Sequence, residues 1–385
     1  MPRSASKPAF VVVGNPGHRR VTMFQDALAA QDLPAARVIA WLDLAEPGAA
    51  TRLLAEAPRG AILRLDSMGE DDAVERALLH RGEAAARAEG TPAISKRELA
   101  ATPHELGRII HPRQQHLGFL AILDDVGAAI ATRPDLRVVQ PPRAIADLFD
   151  KRITSAKWAT AGIPVPEVLP GGPVREPDDL RARMRAAGWP RVYIKMASGS
   201  SASCLAIFEQ ERRGERAVTT VEDTGDARYN TRKLQHVTAR RRLDRLLAFL
   251  LHEGAQVERA VPKAVTEDGR YFDLRVLTID DVAAFVVMRT SPHEITNLNL
   301  GGQRGDVEAL RQGLPVEVWE SAMASCRRVQ RESGAYHVGV DVMFDADLSG
   351  HRVLEGNAFG DLLPNLTRDG LDVYGWQIRR LVAGR

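Results

Sequence analysis

Only two cysteines occur in 385 residues, and Cys204 and Cys326 lie far apart in no paired spacing. That excludes a disulfide framework and a cysteine-ligated zinc site, and it suits a reducing compartment. None of the ten histidines falls in a metal-binding spacing such as HExxH. Long hydrophobic runs are missing as well: no stretch nears the roughly 18 apolar residues that a membrane-spanning helix needs. Net charge is scarce, formally +2, so the polyelectrolyte signature of a nucleic-acid binder is lacking. Met1 to Ala9 is polar and holds no apolar segment of signal-peptide length. The expectation is a cytoplasmic protein with no nucleic-acid and no membrane partner.

What is present fits a globular chain, with 44% apolar and 26% charged residues in the usual balance. One core does not suffice at this length, so two or three packed units are expected. Apolar runs at Phe10–Val13, Arg37–Leu42 and Ala61–Leu65 read as buried strands, with helical patterns over Thr22–Ala30 and Asp71–Arg81. That alternation predicts a small α/β unit with a mainly parallel sheet, followed by a helical stretch over about Thr102–Thr132. Gln140-Pro141-Pro142 sets the boundary between an N-terminal unit, 1–142, and a second unit, 143–385.

Beyond the boundary, a helix over Lys151–Ala161 stops at Gly162. A strand at Arg191–Ala197, a Gly/Ser loop and a strand at Cys204–Glu209 come next. Leu243, Leu246, Leu247, Leu250 and Leu251 stripe one face of a helix. Further strands are predicted at Ala255–Arg259, Tyr271–Ile279, Val282–Thr290, Val338–Phe344 and Arg352–Asn357, with a helix over Val318–Glu332. Hairpin-like spacing of these strands indicates antiparallel sheet, hence α+β.

Three groups of residues point to chemistry. Strand alternation turns Asp341 away from Val338, Val340, Val342 and Phe344, and puts Val353, Glu355 and Asn357 on one face opposite Leu354. If the two strands pair, three oxygen donors converge, as a hard cation such as Mg²⁺ requires. The other reading makes Asp341 and Glu355 solvated edge residues and Asn357 a turn former. Lys195 ends an apolar strand that runs into Ser198–Ser203, a loop able to form an anion nest, or simply a Ser/Gly turn. Asp273 and Arg275 share a face, with Arg289 on the next strand, either as a phosphoryl clamp or as a structural ion pair.

In order, DKRITSAKWATAGIPVP, VYIKMASGSSAS, QVERAVPKA, FDLRV, TNLNLGGQRGD and GVDVMF with VLEGNAFGDLLPNL resemble the ATP-grasp superfamily over about residues 145–370. The likeness is to its ribosomal-S6-modification and glutathione-synthetase-like carboxylate–amine ligases. It implies an α+β ATP-grasp fold, two subdomains gripping ATP with a lid over about 190–260, preceded by a small α/β pre-grasp-like domain. Lys151 and Lys195 then correspond to nucleotide-contacting lysines. Ser198, Gly199, Ser200 and Ser201 belong to the loop over the phosphates. Gln256, Val257 and Glu258 form the segment at the adenine edge, and Asn297 lies in the loop after Arg289. Arg275, Arg289 and Lys195 take catalytic roles at the transferring phosphoryl group. Asp341, Glu355 and Asn357 are the metal ligands, with Glu355 bridging two Mg²⁺ ions, or Mn²⁺ in their place.

The activity implied is an ATP- and Mg²⁺-dependent ligase that forms C–N bonds through an acyl phosphate. Its partners are a small-molecule or peptide carboxylate and an amine (or thiol) acceptor, and relatives commonly form homo-oligomers. A phosphotransferase on the same scaffold and a silent nucleotide-binding or peptide-recognition protein are the alternatives. Two departures stand out: Gly356 replaces the usual Val between Glu355 and Asn357, and Phe359-Gly360-Asp361 replaces a Pro-Gly-containing loop. Gly14–Gly17 with His18-Arg19-Arg20, and Arg64–Ser67, are candidate acceptor sites at strand ends, or ordinary βα turns. Arg304-Gly305-Asp306 is expected near the acyl phosphate.

Overall fold

The structure is a computed structural model and describes residues 7–69, 71–199, 203–212 and 214–384. Within these residues the strands form three sheets. The N-terminal sheet has the order β2-β1-β3-β4 and is parallel throughout, from β1 (Phe10–Val13), β2 (Arg37–Ile39), β3 (Ile62–Leu65) and β4 (Arg137–Val138). Every residue of β1 and β3 is buried, Arg64 of β3 included, as in strands covered on both faces. The helices are α1 (Arg19–Ala29), α2 (Ala49–Ala55), α3 (Asp72–Glu89), α4 (Lys96–Ala101) and α5 (Pro112–Ala131). Helices α3 and α5 touch backbone to backbone: a Cβ on Gly82 would lie 1.9 Å from the Gln114 carbonyl oxygen, and one on Gly118 1.8 Å from that of Leu78.

The helix expected over Thr102–Thr132 begins only at Pro112. Pro103 and Gly107 interrupt the first part, whose backbone finds partners elsewhere. Ile109 N–H donates to Arg228 O, and Asn230 N–H to Gly107 O, both at 2.8 Å. This connector thereby covers part of a sheet edge in the next unit.

After the two prolines the chain does not run extended. Pro142 opens α6 (Pro142–Phe149), a position where its missing N–H is harmless. Asp150 caps α7 (Lys151–Thr160) by accepting from Arg152 N–H. A second sheet, in the segment expected to form a lid and called the lid sheet for that expectation, has the order β8-β7-β6-β5-β9: β5 (Arg191–Lys195), β6 (Leu205–Glu211), β7 (Gly214–Asp223), β8 (Arg228–Val237) and β9 (Gln256–Arg259), all antiparallel. The β7–β8 hairpin carries no strong apolar alternation and has no counterpart in the sequence expectations. Helices α8 (Pro177–Ala187) and α9 (Arg240–His252) cover this sheet, and all five leucines of the α9 stripe are buried. Each contributes about 1.5–3 kcal/mol of burial free energy.

The central sheet, order β12-β11-β10-β13-β14, is also antiparallel: β10 (Tyr271–Ile279), β11 (Val282–Ser291), β12 (Gln303–Gly305), β13 (His337–Phe344) and β14 (His351–Asn357). Helices α10 (Val307–Gly313), α11 (Val316–Ser333) and α12 (Val373–Ala383) complete the chain. Val338, Val340, Val342 and Phe344 pack in one cluster with Ala322, Cys326 and Val329 of α11 and with Val11, Val13 and Leu63 of the N-terminal sheet. The lid has a cluster of its own. No helix among the described residues is long and apolar enough to cross a membrane.

Candidate active site

A cavity of about 480 Å³ opens between the lid and central sheets and reaches Arg20 and Ser67 of the N-terminal unit. That volume suits a small-molecule ligand. Register decides what meets in it. Asp273 stands opposite Arg289, Arg275 opposite Asp341, Asp341 opposite Glu355, and Gly339 opposite Asn357. Antiparallel pairing of four strands thus brings Arg275, Arg289, Asp341, Glu355 and Asn357 to the cavity wall.

Simple alternation does not hold on β14. The register shifts between Asp341 and Val342, leaving Leu354 as an extra residue in the ladder. Val353 therefore joins the core while Leu354 lines the cavity beside Glu355 and Asn357. The expected grouping of Val353 with Glu355 and Asn357 is corrected by this bulge. Gly356 has a packing reason. A Cβ there would lie 3.0 Å from both Leu148 and Trp158, and 3.2 Å from Val338.

The charges are tightly paired. Arg275 donates to Asp341 through Nε and, at 3.1 Å, Nη2, and through Nη1 to Asp361 at 2.8 Å. Arg289 reaches Asp273 at 2.7 Å and Asp341 at 3.1 Å. Burial alone would raise the Asp341 pKa, but the two guanidinium groups outweigh it and hold the carboxyl well below the usual range. Lys263 is a site residue that the sequence expectations lack. It is 7% exposed and donates to Thr296 Oγ1 at 2.7 Å, with Asp273 at 3.4 Å. Burial pushes its pKa down, and Asp273 opposes that shift. A lone lysine after Pro262 carries no local pattern; its partners come from 10 and 33 residues further on.

The lysines expected at a nucleotide both line the cavity. Lys151 Nζ donates to Gly199 O at 2.6 Å and lies 3.3 Å from Glu355. Lys195 pairs with Glu258 at 2.6 Å. Glu258 and Asn297 also line the cavity. The Asn297 side chain caps a short turn by accepting from Asn299 N–H at 2.8 Å. Gln256 and Val257 are not on the wall. Gln256 is buried behind Glu258 and donates to its Oε1 at 2.7 Å, while Val257 belongs to the lid core. Gly199 lines the cavity and Ser198 does not. Ser200 and Ser201 lie outside the described residues. Arg304 is exposed, donates to Pro364 O at 2.9 Å and does not line the cavity.

For a hard cation the donor set fits in part. Glu355 and Asn357 are neighbouring oxygen donors, and Asn357 Nδ2 donates to Gly339 O at 3.0 Å, which leaves its Oδ1 as the acceptor. Asp341 already serves two guanidinium groups through three N–H contacts, which leaves its carboxylate about one lone pair for a cation. Among the described residues no group of three or more His, Cys, Asp or Glu side chains is arranged to hold a metal ion. A site here would draw on Asn357 as well as on carboxylates.

No protein-family model and no curated protein sequence matches the chain. Solved structures do. The ATP-grasp ligase PsnB, complexed with minimal precursor, Mg and ADP, aligns at 17% identity and TM-score 0.52, covering 97% of this chain and 96% of that one. D-cycloserine synthetase DcsG aligns at 16% identity and TM-score 0.53, covering 97% and 99%. The macrocyclase MdnC from Microcystis aeruginosa MRC, bound with precursor peptide MdnA, aligns at 13% identity and TM-score 0.50, covering 98% and 100%. Sequence identity this low speaks to architecture, and the architecture of this chain is the ATP-grasp fold.

Proposed function

We propose that this chain is an ATP- and Mg²⁺-dependent ligase that activates a carboxylate as an acyl phosphate and joins it to an amine, releasing ADP and phosphate. The observation that carries this reading is the convergence of Arg275, Arg289, Asp341, Glu355 and Asn357 on one wall, with Lys151 and Lys195 along the cavity. The fold shared with ATP-grasp ligases supports it. In this reading the lysines bind phosphate oxygens, and Glu355 and Asn357, with Asp341, would hold Mg²⁺. The ion supplies charge neutralisation at the phosphoryl oxygens. Arg275 and Arg289 orient the transferring group and stabilise the negative charge that develops on it. The carboxylate oxygen attacks the γ-phosphorus and ADP leaves. The amine then adds to the acyl carbon, loses a proton and expels phosphate. Closure of the lid keeps water from the acyl phosphate.

Glu355→Gln is expected to abolish Mg²⁺-dependent ADP release in a screen of carboxylate and amine pairs, because it removes the charged cation ligand. Retained turnover in that variant would sink the reading. Hydroxylamine added to the wild-type reaction should yield a hydroxamate, which phosphoryl transfer to a hydroxyl would not.

A further inference from the structure

We propose that the N-terminal end of the cavity is an anion subsite built on Arg20 and Ser67, and that the carboxylate substrate carries a second carboxylate, which this subsite holds. The proposal rests on the ligase reading above and deepens it by naming the chemistry of its non-nucleotide component.

Arg20 lies in the first turn of α1, after β1, and Ser67 follows β3, so both sit at carboxyl ends of parallel strands. Both line the cavity. They meet at one oxygen: Asp66 Oδ1 accepts from Arg20 Nη1 at 3.3 Å and from Ser67 N–H at 2.7 Å. Arg20 Nη1 also donates to Phe359 O at 3.0 Å. The Tyr374 hydroxyl is a further hydrogen-bonding neighbour of Arg20, and among the described residues no carboxylate takes its Nε or Nη2. The Ser67 hydroxyl accepts from Gly69 N–H and likewise has no acceptor for its own hydrogen.

Charge separates Arg20 from every other cation on the wall. Lys151, Lys195, Lys263, Arg275 and Arg289 each pair with a carboxylate that also lines the cavity. Arg259 pairs with Glu167. Among the described residues Arg20 has one ion-pair partner, Asp66, which is already neutralised by Arg64 at 3.1 Å, buried with it; Asp361 also attracts Arg20, from beyond ion-pair distance, and is itself paired with Arg275. One positive charge on a planar fork remains, with 17% of its side chain exposed. Such a fork matches a carboxylate better than a point charge does. The loop Phe359–Asp361 joins the two ends: Phe359 O takes Arg20, and Asp361 takes Arg275. A substrate with one carboxylate near Arg275 and another at Arg20 would span it. The neighbouring Arg19, equal in charge and adjacent in sequence, is solvent-exposed.

The test uses the full chain loaded with Mg²⁺ and ADP, with succinate as the probe and ligand-observed NMR titration as the readout. Arg20→Gln should weaken succinate binding about tenfold or more, the loss expected for a charged hydrogen-bond donor. ADP affinity should stay constant, and Arg52→Gln, a change of the same charge on an exposed site of α2, should leave succinate binding alone. Succinate binding that is equal in wild type and Arg20→Gln, or absent from wild type, overturns the proposal. Displacement of succinate by equimolar inorganic phosphate overturns the carboxylate assignment in favour of a phosphate. If Arg20→Gln loses its melting transition, Arg20→Lys carries the test: it keeps the charge without the fork, and unchanged affinity in it overturns recognition by the fork. The ligase reading fails separately, through loss of ADP binding by wild type, since succinate can also be titrated into nucleotide-free protein.

Discussion

The lid and central sheets are both five-stranded and antiparallel, yet they are buried differently. Strand β13 of the central sheet is buried at every residue, and its core runs on into the N-terminal sheet without a break. The lid keeps its own cluster under α8 and α9 and leaves most of β8 half-buried or exposed. What joins the two bodies is largely polar. Arg191 and Tyr193 hold Glu294, Glu253 accepts from Arg113 N–H at 2.9 Å, and Lys151 holds Gly199 O. Separating the two bodies would therefore break ion pairs and hydrogen bonds, which water can replace, rather than an apolar core, which it cannot.

The strongest way to break this comparison is a matched pair of core truncations. Leu247→Ala in the lid and Leu274→Ala in the central sheet each remove a fully buried leucine, at about 2–5 kcal/mol. Leu274→Ala should shift the global unfolding transition. Leu247→Ala should lower native-state hydrogen-exchange protection in the lid alone. Identical, uniform losses would mean one cooperative unit.

Acid should sharpen the contrast. His337 is fully buried with no hydrogen bond to either ring nitrogen, and burial, with Arg64 and Arg20 nearby and Asp66 opposing, holds its pKa well below the ordinary value. His116 is held at about 4, again chiefly by burial, with Arg113 and Arg152 adding to the shift and Asp150 and Glu89 opposing it. Both belong to the shared body, while the lid histidines, His236 and His252, are exposed. Below about pH 6.5 the unfolded chain takes up protons that the folded body refuses. Stability then falls with pH, by at most about 1.4 kcal/mol per pH unit for each histidine. Urea midpoints should drop between pH 7 and pH 5, with body amides losing protection before lid amides. A flat profile would refute this.

Gly356→Val is expected to have the smallest effect, about 1–3 kcal/mol of overpacking against Leu148 and Trp158. The loss should appear in the global melting temperature, because these side chains belong to the shared core. An unchanged melting temperature would show that the strand can yield.

Elements with a strong period were legible in the sequence. Strand β10 matches its expected span end for end, and the α9 leucine stripe is buried as predicted. The β7–β8 hairpin was not, because an edge half exposed to water needs no apolar alternation. Much of the candidate site was legible as residue types: Lys151, Lys195, Arg275, Arg289, Asp341, Glu355 and Asn357 could be singled out from spacing and resemblance. Their partners could not. Nothing local ties Lys263 to Thr296, or Arg20 to Asp66 and Phe359.

By itself, then, the sequence determined the strand and helix periods and the pool of charged side chains, since both follow from neighbours along the chain. Tertiary structure alone decided which charges pair, where β14 bulges to exchange Val353 for Leu354 at the cavity, and how closely Leu148, Trp158 and Val338 crowd position 356. Those outcomes depend on register and on partners distant in the chain, such as Arg20 and Phe359, 339 residues apart. Burial then gives such pairings their strength, because a charge removed from water must find its partner within the fold.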